Sequence, residues 1–247
     1  MNGSTAAGGR SMNLDYRVLG PIEVWADGRQ LDIGGSRQRR LLAALVLAGG
    51  RPITAERLID VVWVGHPPDQ ARNTLRTYIA RARRVLEAGG GEVLVTDATG
   101  WRLDRSETAL DSARFESALA GARAMSADPI ASMASIEEAL ALWRDHAYSE
   151  FSDEQWCAGE AVRLDELRTA AEEERIEAML GCGLYDDAIS ELESFVDRHP
   201  LRDRPRGQLM IALYRAGRQV EAVRSYQDNR RHHGQEVGVE PSDELRT

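Results

Sequence analysis

The sequence predicts a mainly α-helical protein in which an N-terminal winged helix is followed by an all-α domain of tetratricopeptide-like helical repeats. Three observations predict this fold. The first 105 residues contain short alternating apolar runs, then three helical patterns, then a second pair of alternating runs. Residues 1–105 carry a net charge of +4, whereas residues 106–247 carry −13. In the second half, small residues recur at a spacing of 34.

The winged helix is expected to begin with a small antiparallel sheet. Apolar residues alternate between Tyr16 and Trp25 on either side of Gly20-Pro21, a pattern that predicts two short strands and a turn. Asp27-Gly28 is a strong hairpin signal, so we expect a third strand in the RQLDI stretch that follows it.

Three helices and a second hairpin are predicted next. Ser36 can cap a first helix that runs to Leu47 and ends at Gly49-Gly50. Thr54 opens a second helix that runs to Trp63, and the third runs from Gln70 to Ala88 after a Pro-Pro break. Residues 92–104 read as two short strands around a turn, which predicts the wing.

The third helix is the candidate DNA-recognition element. It carries five arginines and one acidic residue. At about 100° per residue, one side is apolar, and it is formed by Leu75, Tyr78, Ile79, Ala82, Val85 and Leu86. Arg72, Arg76 and Arg83 lie within about 40° of one another on the other side. Asn73, Thr77 and Arg84 extend this polar face.

An arginine-rich face is most often only a solvated helix surface. The number of arginines on the third helix is also weaker evidence for DNA binding than it would be in a protein that uses lysine as well. Each of the 31 basic residues is arginine, as coding bias in a GC-rich genome would produce. The order of sheet, three helices and hairpin favours the functional interpretation, because a winged helix places its third helix in the major groove and its hairpin on the flanking backbone. Arginine can bind guanine or phosphate there, and asparagine can bind adenine.

The acidic half is expected to be helical from Leu110 onward. Gly183 and Gly217 are 34 residues apart, as are Ala188 and Ala222. A glycine before the second helix of a pair and a small alanine within it are typical of tetratricopeptide repeats. The residues alone therefore predict helical repeats with a surface for a protein partner.

Other functions find no support in the sequence. No phosphate-binding glycine loop occurs, and the two cysteines, Cys157 and Cys182, lack the spacing of a disulfide framework or a zinc site. His232-His233 stands on a charged stretch without further ligand residues. We expect no catalytic residue, no metal and no cofactor. Since no apolar run could span a membrane and no signal peptide is evident, we expect a bacterial cytoplasmic protein without membrane contact.

Residues 15–105 resemble the OmpR/PhoB-type winged helix, and in particular that of the Streptomyces antibiotic regulatory protein family. The matching stretches are YRVLGPIEVWADGRQLDIGGSRQRRLLAAL, LIDVVW with a later PP, ARNTLRTYIARARRVL and TGWRLD. The acidic half resembles the bacterial transcriptional activation domain of the same family through AGEAVRLDELRTAAEEERIEAML, HPLRDRPRGQLMIALYRAGRQVEA and GVEPSDELR. The expected domains are a disordered leader at 1–13, the winged helix at 14–105 and the activation domain at 106–247.

The resemblance implies that Asn73, Arg76, Thr77, Arg81 and Arg83 lie at or near groove and phosphate contacts. Arg81 lies away from Arg76 around the helix, so we expect it to reach a phosphate. Asp97 stands in the wing turn where many relatives carry a basic residue, which leaves Arg102 as the candidate for wing contact. The complete set of expected DNA-binding residues is Arg72, Asn73, Arg76, Thr77, Arg81, Arg83, Arg84 and Arg102. The loop Val64-Gly65-His66 is also less acidic than is common in the family.

The resemblance further implies a transcriptional activator that binds double-stranded promoter DNA at direct repeats near the −35 element, as two protomers head to tail. It would recruit RNA polymerase with its sigma factor to genes of secondary metabolism, such as antibiotic biosynthesis. The chain stops at Thr247, just after Pro241-Ser242 opens a new helix, so we expect a truncated chain.

Two other functions stay open. One is a tetratricopeptide-type adaptor whose winged helix binds protein and not DNA. The other is a regulatory fragment of a nucleotide-driven switch.

Overall fold

The computed structural model describes residues 14–90, 93–106, 109–225 and 227. The expected leader, the His232-His233 pair and the helix expected at Pro241 lie outside the described residues. The mainly α-helical architecture predicted from the sequence is confirmed, with a winged helix first and a helical domain after it. The chain divides into two compact units: Met1–Ser117 with Ala141–Leu167, and Ala118–Leu140 with Arg168–Thr247.

The first unit begins with a three-stranded antiparallel sheet of order β1-β2-β3. Its strands are β1 (Leu14–Arg17), β2 (Glu23–Ala26) and β3 (Arg29–Gln30), so the third strand is shorter than the predicted one. Asp27 and Gly28 both adopt positive φ between β2 and β3, the conformation that a tight hairpin requires.

Three helices follow the sheet: α1 (Ser36–Leu47), α2 (Ala55–Trp63) and α3 (Ala71–Ala88). Gly35, and not Ser36, is the N-cap of α1, and its amide donates to the side chain of Gln38 at 3.1 Å. Thr54 caps α2 as predicted, since its hydroxyl oxygen accepts from the Arg57 amide.

The wing is a hairpin of β4 (Leu94–Thr96) and β5 (Trp101–Leu103). Trp101 exchanges two main-chain hydrogen bonds with Ile53, at 2.8 and 3.0 Å, so the wing also pairs with the segment that precedes α2. A Cβ atom at Gly100 would lie 1.9 Å from the Ile53 carbonyl oxygen. Glycine is therefore required where the wing approaches this segment.

Residues 141–157 pack against the loop that joins β1 and β2. The amides of Arg144 and Tyr148 donate to the carbonyls of Leu19 and Val18 at 2.8 and 2.7 Å. The run of helices expected from Leu110 onward is interrupted here, because the preceding helix ends at Leu140 and these amides form long-range hydrogen bonds instead. The compact units therefore divide the chain differently from the predicted domains, whose boundary at residue 105 stays a prediction.

Asp111, the first residue of α4 (Asp111–Ala124), completes this packing. Its buried carboxylate accepts from the amides of Val18 and Leu19 at 2.8 and 3.1 Å. Burial raises the pKa of Asp111 above its usual value, although these hydrogen bonds and the neighbouring Arg144 act in the opposite direction.

The second unit is helical. Besides the last part of α4 it contains α5 (Pro129–Leu140), most of α6 (Ala158–Gly181), α7 (Tyr185–Arg198) and α8 (Asp203–Arg215), and a further helix is described at 219–225. Its core includes both alanines of the 34-residue repeat, Ala188 and Ala222. Gly183 and Gly217 both adopt left-handed φ in the turns before these helices, as the repeat requires. Within the described ranges, no helix is both long enough and apolar enough to cross a membrane.

Candidate nucleic-acid interface

The helix α3 separates a buried side from an exposed one, as its periodicity predicts. Its buried residues are Ala71, Leu75, Ile79 and Leu86. The aromatic rings of Trp63 and Tyr78 stack at 5.9 Å and join α2 to α3. Since the apolar side is fixed against the other helices, the polar side must face outward.

The first two turns of α3 present four of the predicted DNA-binding residues to solvent. Arg72, Asn73, Arg76 and Thr77 are all exposed. The Thr77 hydroxyl donates to the Asn73 carbonyl at 3.2 Å, which leaves its oxygen able to accept. Arg72 forms an ion pair with Glu56 of α2, and both side chains are about two-thirds exposed, at 68% and 63%. Arg76 forms no hydrogen bond or ion pair with any residue in the described part of the chain.

The last two turns of α3 hold the other predicted arginines. Arg81 is half exposed and lies 4.0 Å from Asp32, so it faces the side of the N-terminal sheet. Arg84 is exposed, and among the described residues its guanidinium reaches only the Ala80 carbonyl, at a long 3.5 Å. Neither contact is strong enough to keep these side chains from an outside partner, because the Arg81–Asp32 pair is long and exposed.

Arg83 differs from its neighbours, because it is half-buried and turned toward the wing. Its Nε donates to the Leu94 carbonyl at 3.1 Å, and its Nη2 donates to the Thr96 hydroxyl at 2.9 Å. Arg102, the predicted wing residue, lies on β5 and is 3.5 Å from Asp104. The structure thus brings Arg83 and the wing together, while Arg72, Asn73, Arg76 and Thr77 form a separate exposed group.

Sequence reasoning missed the carboxylates beside this face. Glu56, Asp32 and Asp104 each pair with one of the predicted arginines. Glu56 lies on another helix, 16 residues before Arg72, so no helical spacing could reveal the pair. Exposed pairs of this kind contribute only about 0–1 kcal/mol, so phosphate can replace them.

The second unit carries a cluster of exposed apolar side chains at the end of the described chain. Ile211 and Tyr214 of α8 are 55% and 61% exposed, and Val220 and Val223 are 67% and 56% exposed. Exposed apolar side chains are typical of protein-contact surfaces where they form one contiguous patch.

Two family models match the sequence. Residues 30–103 match the family described as "Transcriptional regulatory protein, C terminal". Residues 110–247, more than half of the chain, match the "Bacterial transcriptional activator domain". The chain belongs to the Streptomyces antibiotic regulatory protein family.

Relatives of known name support the family assignment over nearly the whole chain. The regulatory protein AfsR of Streptomyces coelicolor is 41% identical over 231 residues, which are 92% of this chain and 23% of AfsR. The transcriptional regulator RedD of the same species is 34% identical over 240 residues, covering 94% of this chain and 68% of RedD. The chain therefore spans about a quarter of the length of AfsR and about two thirds of RedD.

A solved structure has the same fold. The structure of Mycobacterium tuberculosis EmbR in complex with a low-affinity phosphopeptide matches with a TM-score of 0.86 at 30% identity, covering 95% of this chain and 63% of that one. The family and the names of these relatives describe transcriptional regulators, in agreement with the expectation that the chain is not an enzyme. The predicted DNA-binding residues stay predictions.

Proposed function

We propose that the protein is a sequence-specific, DNA-binding activator of transcription. The observation that carries this proposal is the exposed face of α3, where Arg72, Asn73, Arg76 and Thr77 project from a helix whose other side is buried. Membership in a family of transcriptional regulators supports the same function.

In this mechanism, arginines bind phosphates and a few side chains read bases. Arg72, Arg81, Arg84 and Arg102 would exchange solvent or an exposed carboxylate for backbone phosphate, which supplies affinity and makes binding depend steeply on salt. Arg76, which has no partner within the described residues, is free to form the bidentate contact with guanine, while Asn73 is suited to adenine. Each such base contact contributes about 1–3 kcal/mol of discrimination.

The wider function follows the resemblance. The protein would act in the cytoplasm on double-stranded promoter DNA, as two protomers head to tail on direct repeats near the −35 element. It would recruit RNA polymerase and its sigma factor to genes of secondary metabolism. The exposed apolar side chains of the second unit, from Ile211 to Val223, would provide the surface for such a protein contact.

Selection of genomic fragments by the full chain tests the proposal. The wild type should enrich promoter fragments that share a repeated half-site, and Arg76→Ala should lose this enrichment because the base contact is gone. Arg215→Ala removes an exposed arginine of the second unit and is the matched control, so it should select as the wild type does. A folded wild type that enriches no common sequence would refute the proposal.

The adaptor function remains a second candidate, because the apolar cluster at Ile211 and Tyr214 also suits a protein that only binds other proteins. Salt dependence separates the two functions. A DNA reader with six or more phosphate contacts should lose about a thousandfold in affinity between 50 and 200 mM salt. Weak binding that hardly changes with salt would favour the adaptor.

A further inference from the structure

Arg83 lies on the same side of α3 as Arg76, seven residues and about two turns further along. By position alone it belongs to the DNA-binding face. Its guanidinium nevertheless points along the protein surface, where it donates to the Leu94 carbonyl and to the Thr96 hydroxyl at 3.1 and 2.9 Å. Both acceptors belong to β4, the first strand of the wing.

The wing has a second attachment on its other strand. Trp101 of β5 pairs through two main-chain hydrogen bonds with Ile53, and the absence of a side chain at Gly100 allows this approach. Each strand of the hairpin is therefore held by a different element: β4 by α3, through Arg83, and β5 by the segment before α2. A short two-stranded hairpin is not stable on its own, so these attachments determine where it lies.

A planar guanidinium is suited to this task. It presents five donors in a rigid fork, so one side chain can bind two acceptors in a defined geometry. The acceptors of Arg83 lie two residues apart on β4, one a main-chain carbonyl and one a hydroxyl. A lysine would keep the charge, but it has only a single nitrogen and could not span both acceptors in the same way.

We propose that Arg83 is a positioning residue, which fixes the wing relative to the recognition helix and thereby sets where the wing meets the DNA backbone. This inference rests on the proposed DNA-binding function. It makes Thr96 important for DNA binding through its hydrogen bond with Arg83. Substitution of Arg83 would therefore remove the wing contact as well as one positive charge.

The test combines a double-mutant cycle with footprinting. Wild type, Thr96→Val, Arg83→Ala and the double variant are compared as full chains on a selected operator, with hydroxyl-radical cleavage as the readout. Thr96→Val keeps every charge, yet it should weaken binding about three- to tenfold, the equivalent of one net hydrogen bond. Protection of the backbone flanking the half-site should fade, while protection at the half-site itself remains. In the Arg83→Ala background, Thr96→Val should have no further effect.

Thr96→Ser restores the hydroxyl and should restore both affinity and flanking protection. A variant that merely folds less well would lose protection evenly along the operator, so the uneven footprint distinguishes positioning from stability. Thr96→Val with wild-type affinity and footprint would overturn the inference. So would a loss of the same size in the wild-type and Arg83→Ala backgrounds, since Thr96 would then act without Arg83.

Hydrogen exchange in the free protein tests the attachment without DNA. Peptides covering residues 93–106 should exchange faster in Thr96→Val and Arg83→Ala than in the wild type, and Thr96→Ser should match the wild type. Unchanged exchange in both variants would show that the wing needs no anchor at Arg83. If the wild type selects no operator but the wing exchanges as expected, the proposed function fails and the positioning role of Arg83 stands.

Discussion

Two sets of arginine–carboxylate pairs in the first unit use the same chemistry in different surroundings. The docking pairs lie where the N-terminal part of the unit packs against Asp111 and residues 144–154, and the DNA-face pairs lie on the predicted DNA-binding surface. At least one side chain of each DNA-face pair is well exposed, whereas neither side chain of a docking pair is. Arg40 and Glu154 are 15% and 21% exposed, against 68% and 63% for Arg72 and Glu56. The docking pairs are Arg39–Glu150, Arg40–Glu154 and Arg144–Asp111, and the DNA-face pairs are Arg72–Glu56, Arg81–Asp32 and Arg102–Asp104.

Residues of the docking pairs form hydrogen bonds with main-chain groups as well as with each other. Arg39 donates to both carboxylate oxygens of Glu150 at 2.7 Å and also to the Ile22 carbonyl at 2.6 Å, while Glu150 accepts from the Ile22 amide. The guanidinium of Arg40 donates to Glu154 and lies 5.0 Å from the centre of the Phe151 ring. Within the described ranges, no DNA-face arginine donates to both a carboxylate and a distant main-chain carbonyl in this way. Burial therefore assigns one set of arginines to structure and leaves the other set available for a partner.

The largest effect is expected where a docking carboxylate is most buried. Asp111→Ala leaves the amides of Val18 and Leu19 without their acceptor and Arg144 without its nearest buried charge. Removing one partner of a buried, hydrogen-bonded charge costs about 3–5 kcal/mol, so the free energy of unfolding in urea should fall by that amount. Glu56→Ala is the control from the DNA face and should change the free energy of unfolding by less than about 1 kcal/mol. Equal effects of the two substitutions would remove the distinction between the sets.

Double-mutant cycles measure how strongly the two members of a pair are coupled in the free energy of unfolding. We expect an intermediate coupling for a docking pair and a small one for a DNA-face pair. For Arg40→Gln and Glu154→Gln, we expect a coupling of about 1–2 kcal/mol in the free energy of unfolding, because the pair is bidentate and mostly shielded from solvent. For Arg72→Gln and Glu56→Gln, the coupling should stay at about 0–0.5 kcal/mol. Raising the salt concentration should reduce the second coupling more than the first. A larger coupling for the exposed pair would contradict the assignment by burial.

The buried and exposed sides of α3 could be predicted from the sequence, whereas the docking pairs could not. A period of 3.6 residues is a local property, so Leu75, Ile79 and Leu86 could be assigned to the buried side, where the structure has them. Arg40 and Glu154 are 114 residues apart, and no local pattern connects them.

Residues 141–157 show the same limit. The sequence predicts helix from Leu110 onward, but Trp143 lies after the end of α5, and its ring meets Phe115 edge-on at 5.4 Å. After Leu140, the amides of Arg144 and Tyr148 donate to carbonyls of the β1–β2 loop, which is more than a hundred residues away in sequence. For the candidate site, periodicity gave the exposed arc of α3 but could not show that Arg83 is turned toward the wing, because the acceptors belong to another element.

The smallest effect concerns the exposed carboxylate of Glu56, which competes with DNA for Arg72. Glu56→Gln removes this competitor, so the affinity for a duplex operator should rise about two- to fivefold, the equivalent of an exposed ion pair. Asp60→Asn, on the same helix α2, makes the same change in net charge at an exposed residue and is the matched control. Long-range electrostatics should raise affinity slightly in both variants, and this part should disappear first as salt is added. Only Glu56→Gln should keep an advantage near 150 mM salt, because only that change frees a guanidinium within reach of phosphate.

Equal gains in the two variants would mean that Arg72 is not held by Glu56 when DNA arrives. A loss of affinity in Glu56→Gln would mean that the pair orients Arg72 for binding, and the DNA-face pairs would then resemble the docking pairs more than their exposure indicates.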